Sequence, residues 1–165
     1  MEKTPKFTTY LAPIIDKGMY HYPQMDIPQN IADAMLGDSN MLRVIVHFEN
    51  GMKVHRALKR NKNGETFISL GKSTLKDAKV EPDTELALVL EVDRTKFGFS
   101  LPEEFAEVMN QDPEGEKAFL ELKPGLQRSF LYYIGSAKTV DTRINRSLQL
   151  MENLKMGIIS AGKPR

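Results

Sequence analysis

The hydrophobic period changes once along this chain, and that change decides what it can fold into. Up to about residue 93, apolar residues alternate in short runs separated by turn residues; from about residue 100 they recur every three or four positions. Period two followed by period 3.6 predicts an α+β chain with its β part first. The switch falls within Arg94–Phe99, which sets expected domains of 1–96 and 97–165.

The first half reads as strands joined by turns. Lys6–Ile15 is rich in β-formers, Asp16-Lys17-Gly18 is turn chemistry, and Met19–Ile27 is a second extended run. Pro28 suits the first position of a helix with Ile31, Ala32, Met35 and Leu36 as its apolar stripe and Gly37 as its stop. Leu42–Phe48 and Met52–Leu58 flank Asn50-Gly51, a hairpin signal. A two-residue loop would mix apolar and charged groups on each face. A three-residue loop, Glu49-Asn50-Gly51 with Gly51 left-handed, groups Leu42, Val44, Val46 and Phe48 with Met52, Val54 and Leu58. It puts Arg43, His47, Lys53, His55 and Lys59 on the opposite face. Thr66–Leu70 is a short strand, Ser73 an expected N-cap for a helix over Thr74–Ala78, and Glu85–Asp93 the last strand. Many short strands suggest a barrel or a sandwich.

The second half reads as four helices. Ser100 is the expected cap of Pro102–Met109, with Glu103 at the capping-box position. Asp112-Pro113 starts the second and Pro124 the third. Val140–Met156 is the longest, with Ile144, Leu148, Met151 and Leu154 as its inward stripe. The tail looks too small to bury a large core alone, so docking on the barrel or pairing as a homodimer is expected.

Composition narrows the chemistry. The chain has 165 residues, 23 basic and 22 acidic side chains, and no cysteine. Without cysteine there is no disulfide, thiolate zinc site, iron–sulfur cluster or cysteine nucleophile. No apolar run approaches a membrane span and no signal peptide is evident, so the expected location is cytoplasmic, without membrane insertion. No phosphate-binding glycine loop and no G-x-S-x-G elbow occurs. His21, His47 and His55 lack metal-type spacing, and no carboxylate stands obviously beside them. No cofactor, metal or catalytic residue is expected, and Met35, Met41, Met52, Met109, Met151 and Met156 read as core filler.

Two groups of cations remain as candidate binding residues. The hairpin run Lys53–Lys62 holds Lys53, His55, Arg56, Lys59, Arg60 and Lys62 with no acid between them. Such a run can track phosphates. Against this, Met1–Lys96 holds 14 basic and 13 acidic residues, and no aromatic residues interleave the cations. A solvated strand face that blunts a sheet edge is the simpler reading. Arg143 and Arg146 share a helical face, one turn or so after Lys138. They either form an anion site or lock helix packing through acids such as Glu103, Glu104 or Asp141.

The tail carries Phe99-Ser100-Leu101-Pro102-Glu103-Glu104-Phe105, Ala118-Phe119, Tyr133-Ile134-Gly135-Ser136-Ala137-Lys138 and Thr142-Arg143-Ile144-Asn145-Arg146. In its I-x-x-A-K step followed by T-R-x-x-R, it resembles the helical domain of the YdeI/OmpD-associated family, whose name refers to bacteriocin protection. The resemblance covers about Phe97–Gly157. The opening strand, the Pro28 helix, the hairpin and the closing Glu91–Asp93 strand resemble the small domain of unknown function that precedes such tails. That resemblance implies a double-split β-barrel, related in architecture to the AbrB/MazE DNA-binding barrels. The sequence departs from it at Pro82, where glycine is expected. Together the resemblances imply a non-enzymatic protein that protects against stress, envelope damage or bacteriocin by binding an unknown protein or an anionic ligand. The alternative is a nucleic-acid-binding module that uses the basic hairpin.

Overall fold

The computed structural model describes residues 5–13 and 23–162. The predicted turn at Asp16-Lys17-Gly18, and His21, lie outside the described residues. The chain divides between Arg94 and Thr95 into two compact units, each with its own hydrophobic core.

The first unit is a closed six-stranded barrel. Its strands are β1 (Lys6–Pro13), β2 (Pro23–Asp26), β3 (Met41–Phe48), β4 (Lys53–Arg60), β5 (Thr66–Ser69) and β6 (Glu85–Val92), with α1 (Gln29–Leu36) and α2 (Lys72–Ala78) between them. They run in the order β1-β2-β5-β4-β3-β6, β6 pairs back to β1, and every pair is antiparallel. The hairpin register follows the hydrophobic pattern. Val46 pairs with Val54 and Leu42 with Leu58, Phe48 N–H donates to the Met52 carbonyl at 2.9 Å, and Gly51 sits at φ 86°. That is the three-residue loop, closed by the Asn50 side chain accepting from Met52 N–H at 3.0 Å. Val44, Val46, Leu58, Ile68 and Leu90 all point inward and are fully buried. Two inward threonines satisfy the barrel's backbone: Thr9 donates to the Asp26 carbonyl and Thr66 to the Ile27 carbonyl. Asp83 takes up the left-handed conformation after Pro82, with φ 60°, so the turn forms without the expected glycine.

The second unit contains α3 (Glu103–Gln111), α4 (Pro113–Leu120), α5 (Pro124–Gly135) and α6 (Val140–Lys155). Its core is a chain of edge-to-face rings, Phe97 on Phe119 at 5.5 Å and Phe105 on Phe119 at 4.9 Å, extended by Leu131, Ile134, Leu150 and Met151. A tail of this length therefore does bury a core of its own.

Several local expectations need correction. Gly71, not Ser73, caps α2, and Pro102, not Ser100, precedes α3, neither with a side-chain cap. Asp112 does cap α4, accepting from Gly115 N–H at 2.9 Å. The inward stripe of α6 is Ser147, Leu150, Met151, Asn153 and Leu154, while Leu148 is 49% exposed. Ser147 fits inward because its hydroxyl returns to the Arg143 carbonyl at 2.7 Å. Asn153 fits because its amide donates to the Ser160 and Gly162 carbonyls at 2.6 and 2.7 Å. Of the methionines, Met41 and Met156 are exposed and not core filler.

Candidate functional site

The barrel scatters the cations of the hairpin. β4 lies between β3 and β5, so the run is not a sheet edge. Arg56 pairs with Val44 and shares the inward row; it donates to the His55 carbonyl at 2.8 Å and to the Thr74 hydroxyl at 2.6 Å. Arg60 is on that row too, and it ties down α1 through Asp33 at 2.7 Å and the Gly37 and Ser39 carbonyls. Lys53 and Lys59 point outward and are exposed, as is Lys62 in the turn after β4.

The two described histidines do have acidic partners. The β3–β6 register puts Glu91 on the outward row, and Asp93 follows directly after β6, its N–H donating to the Arg43 carbonyl at 3.0 Å. His47 Nε2 lies 2.8 Å from Glu91 and His55 Nδ1 2.7 Å from Asp93, whose side chain is fully buried. Alternation along β6 was legible in the sequence, but its register against β3 was not. Among the described residues no cluster of three histidines or carboxylates could hold a metal ion.

Arg143 and Arg146 act as staples within the helical unit. Arg143 donates Nε to Glu104 Oε1 at 2.8 Å, with Nη2 also 2.8 Å from it, and Nη1 to the Ala137 carbonyl at 2.9 Å. Arg146 donates to the Tyr133 carbonyl at 2.6 Å and the Ser136 hydroxyl at 3.1 Å, and lies over the Tyr133 ring at 4.2 Å. Carbonyls left open at the end of α5 are thus filled by side chains of α6. Glu104 has its pKa lowered by its own backbone N–H and then by Arg143. Asp112 is lowered by the Gly115 N–H and then by Lys155, which is 2.9 Å away. The Lys155 ammonium is in turn held charged by Glu152 and Asp112.

Both carboxylates are held below their ordinary range only in the folded state. Their stabilisation is therefore complete above their unfolded-state pKa values and withdrawn as pH falls through the lower folded values. The helical unit is expected to lose thermal stability in the acid range, followed by far-ultraviolet dichroism. Glu104→Gln is expected to flatten part of that dependence.

Beside Arg143 the helical unit opens a groove of about 420 Å³. Its apolar wall is Phe99, Leu101, Pro102, Leu131, Tyr132 and Gly135. Phe99 and Tyr132 meet edge to face at 6.3 Å. Tyr132 is 62% exposed and Leu101 40% exposed, an apolar patch of the kind that marks interaction sites. The width comes from Gly135: an added Cβ would meet only Pro102 Cγ, at 3.6 Å. At the polar end sit Ser136, which donates to the Tyr133 carbonyl at 2.9 Å, and the Glu104–Arg143 pair. Sequence reasoning did not find this groove. Phe99, Leu101 and Pro102 belong to a quoted motif, but nothing in their spacing places them against Tyr132 and Gly135 on α5.

No helix among the described residues is long and apolar enough to cross a membrane. No curated protein matches the chain. Residues 99–157 match the family described as Bacteriocin-protection, YdeI or OmpD-Associated, a span that contains every residue lining the groove. The barrel before it is the architecture that the resemblance of the first half implies. Over residues 99–157 the helical unit of this chain is similar to the YdeI or OmpD-associated family.

Proposed function

We propose that this is a cytoplasmic binding protein without catalytic activity, and that the groove of the helical unit is where it takes its ligand or partner. The supporting observation is the groove itself. It combines exposed aromatic and apolar surface with charged groups that already satisfy one another. Arg143 spends its three donor nitrogens on Glu104 and Ala137, and Glu104 is held ionised. Such a site offers shape and ring contacts, not a poised base or nucleophile. The family description, bacteriocin protection and association with OmpD, supports a protective role, exercised here by binding. The absence of cysteine fits a reducing compartment.

The test is a titration of phenol, indole and benzamide into the isotope-labelled full chain. Amide shifts are expected to cluster at Tyr132, Gly135 and Ser136, with each probe recovered unchanged. No shifts, shifts confined to other surfaces, or conversion of a probe would overturn the reading.

A further inference from the structure

The barrel unit carries a second concave surface, of about 470 Å³, beside α2. Its floor is apolar, formed by Pro23, Leu75, Val80 and Pro82, and among the described residues its rim carries Lys72, Lys76 and Lys79 against Glu81. The charge is segregated by helical geometry. Positions 72, 75 and 76 fall on one face of α2 at spacings of three and four, while Asp77 falls on another, and Lys79 joins the rim from the turn that ends the helix. All three lysines are exposed, and among the described residues none forms an ion pair.

Lys79 is held on this rim at a conformational cost. It sits in the left-handed region, φ 57° and ψ 43°, at the position after the helix where glycine is usual. Val80 N–H reaches back to the Leu75 carbonyl at 3.0 Å and closes the turn. The turn alone would favour glycine there; a lysine adds a cation to the groove.

We propose that this groove docks an acidic segment of a partner protein, with an apolar side chain seated against Leu75 and Val80 and carboxylates facing Lys72, Lys76 and Lys79. A net positive rim around an apolar floor complements such a segment. Among the described residues no aromatic side chain lines the groove, so they give no platform on which nucleic-acid bases would stack. The surface lies in the barrel unit, and the proposal is independent of the helical groove.

The test is selection from a random peptide display library on the immobilised full chain. The consensus peptide is then labelled with fluorescein and its affinity measured by anisotropy. Enrichment of Asp and Glu beside Leu, Ile, Val or Phe is expected. Binding is expected to weaken by about tenfold or more in K72E/K76E/K79E and in K72Q/K76Q/K79Q, and to stay within about twofold in K72R/K76R/K79R. All six-stranded barrel signals in circular dichroism should be unchanged, since these side chains are exposed. Recovery of no peptide, of peptides without acidic residues, or of peptides that bind the glutamate variant as well as wild type would overturn the proposal. So would displacement of the peptide by a thymidine oligonucleotide or phosphatidylglycerol vesicles at equal charge concentration.

Discussion

Phe105→Ala is expected to destabilise the helical unit by about 3–5 kcal/mol. Phe105 is fully buried and its ring stands edge to face on Phe119 at 4.9 Å, which in turn meets Phe97. Truncation removes the ring contact between α3 and α4 and leaves a cavity in the core of the unit. The loss adds transfer, cavity and aromatic-pair contributions. Domains of this size hold only about 5–15 kcal/mol in total, so a large share of the unit's stability is at stake. Denaturant unfolding of the full chain, followed by helical dichroism, measures it. A loss under about 1 kcal/mol would show that the ring chain is not the core.

Gly115→Val is expected to cost about 2–4 kcal/mol, through crowding and a broken cap together. A Cβ at Gly115 would stand 2.8 Å from Asp112 Oδ2 and 2.8 Å from Met151 Sδ. Neither neighbour is free to yield. Asp112 is bound to the Gly115 N–H and to Lys155, and Met151 is 1% exposed in the core. Gly125, at the start of α5, has nothing within 4 Å of its Cβ position. Gly125→Ala is therefore the control, expected to be neutral or slightly stabilising. Equal effects at the two glycines would contradict the close approach of α4 and α6.

What the sequence revealed depended on how local the deciding physics was. The hairpin register was legible because slipping Phe48 past Met52 by one residue would turn a whole apolar row outward. The Asp112 cap was legible because a helix start needs an acceptor within three residues of its open N–H groups. Ser73 and Ser100 look the same in sequence, yet Gly71 and Pro102 end up at the caps, set by where the neighbouring elements fix the chain. On α6 the expected and the observed stripes share Met151 and Leu154 and part where Ser147, not Leu148, turns inward. The one containing Leu148 is more apolar, but hydrogen bonds that Ser147 and Asn153 make in the folded chain decide for the other. His55 meeting Asp93 depends on the pairing of β3 with β6, between residues 38 apart. The groove is the extreme case, since it is made from a missing side chain at Gly135 and a loop before α3.

Gly135 also gives the most direct test of binding through that groove. Gly135→Ala adds one carbon at ordinary contact distance from Pro102, whereas Gly135→Leu fills the space between Pro102 and Tyr132 without straining the backbone. Titration of the aromatic probe giving the largest shifts is the measurement. Wild type and Gly135→Ala are expected to bind within about twofold of each other, and Gly135→Leu about tenfold or more weakly, with its fold intact. Equal binding by the folded Gly135→Leu protein would contradict the account.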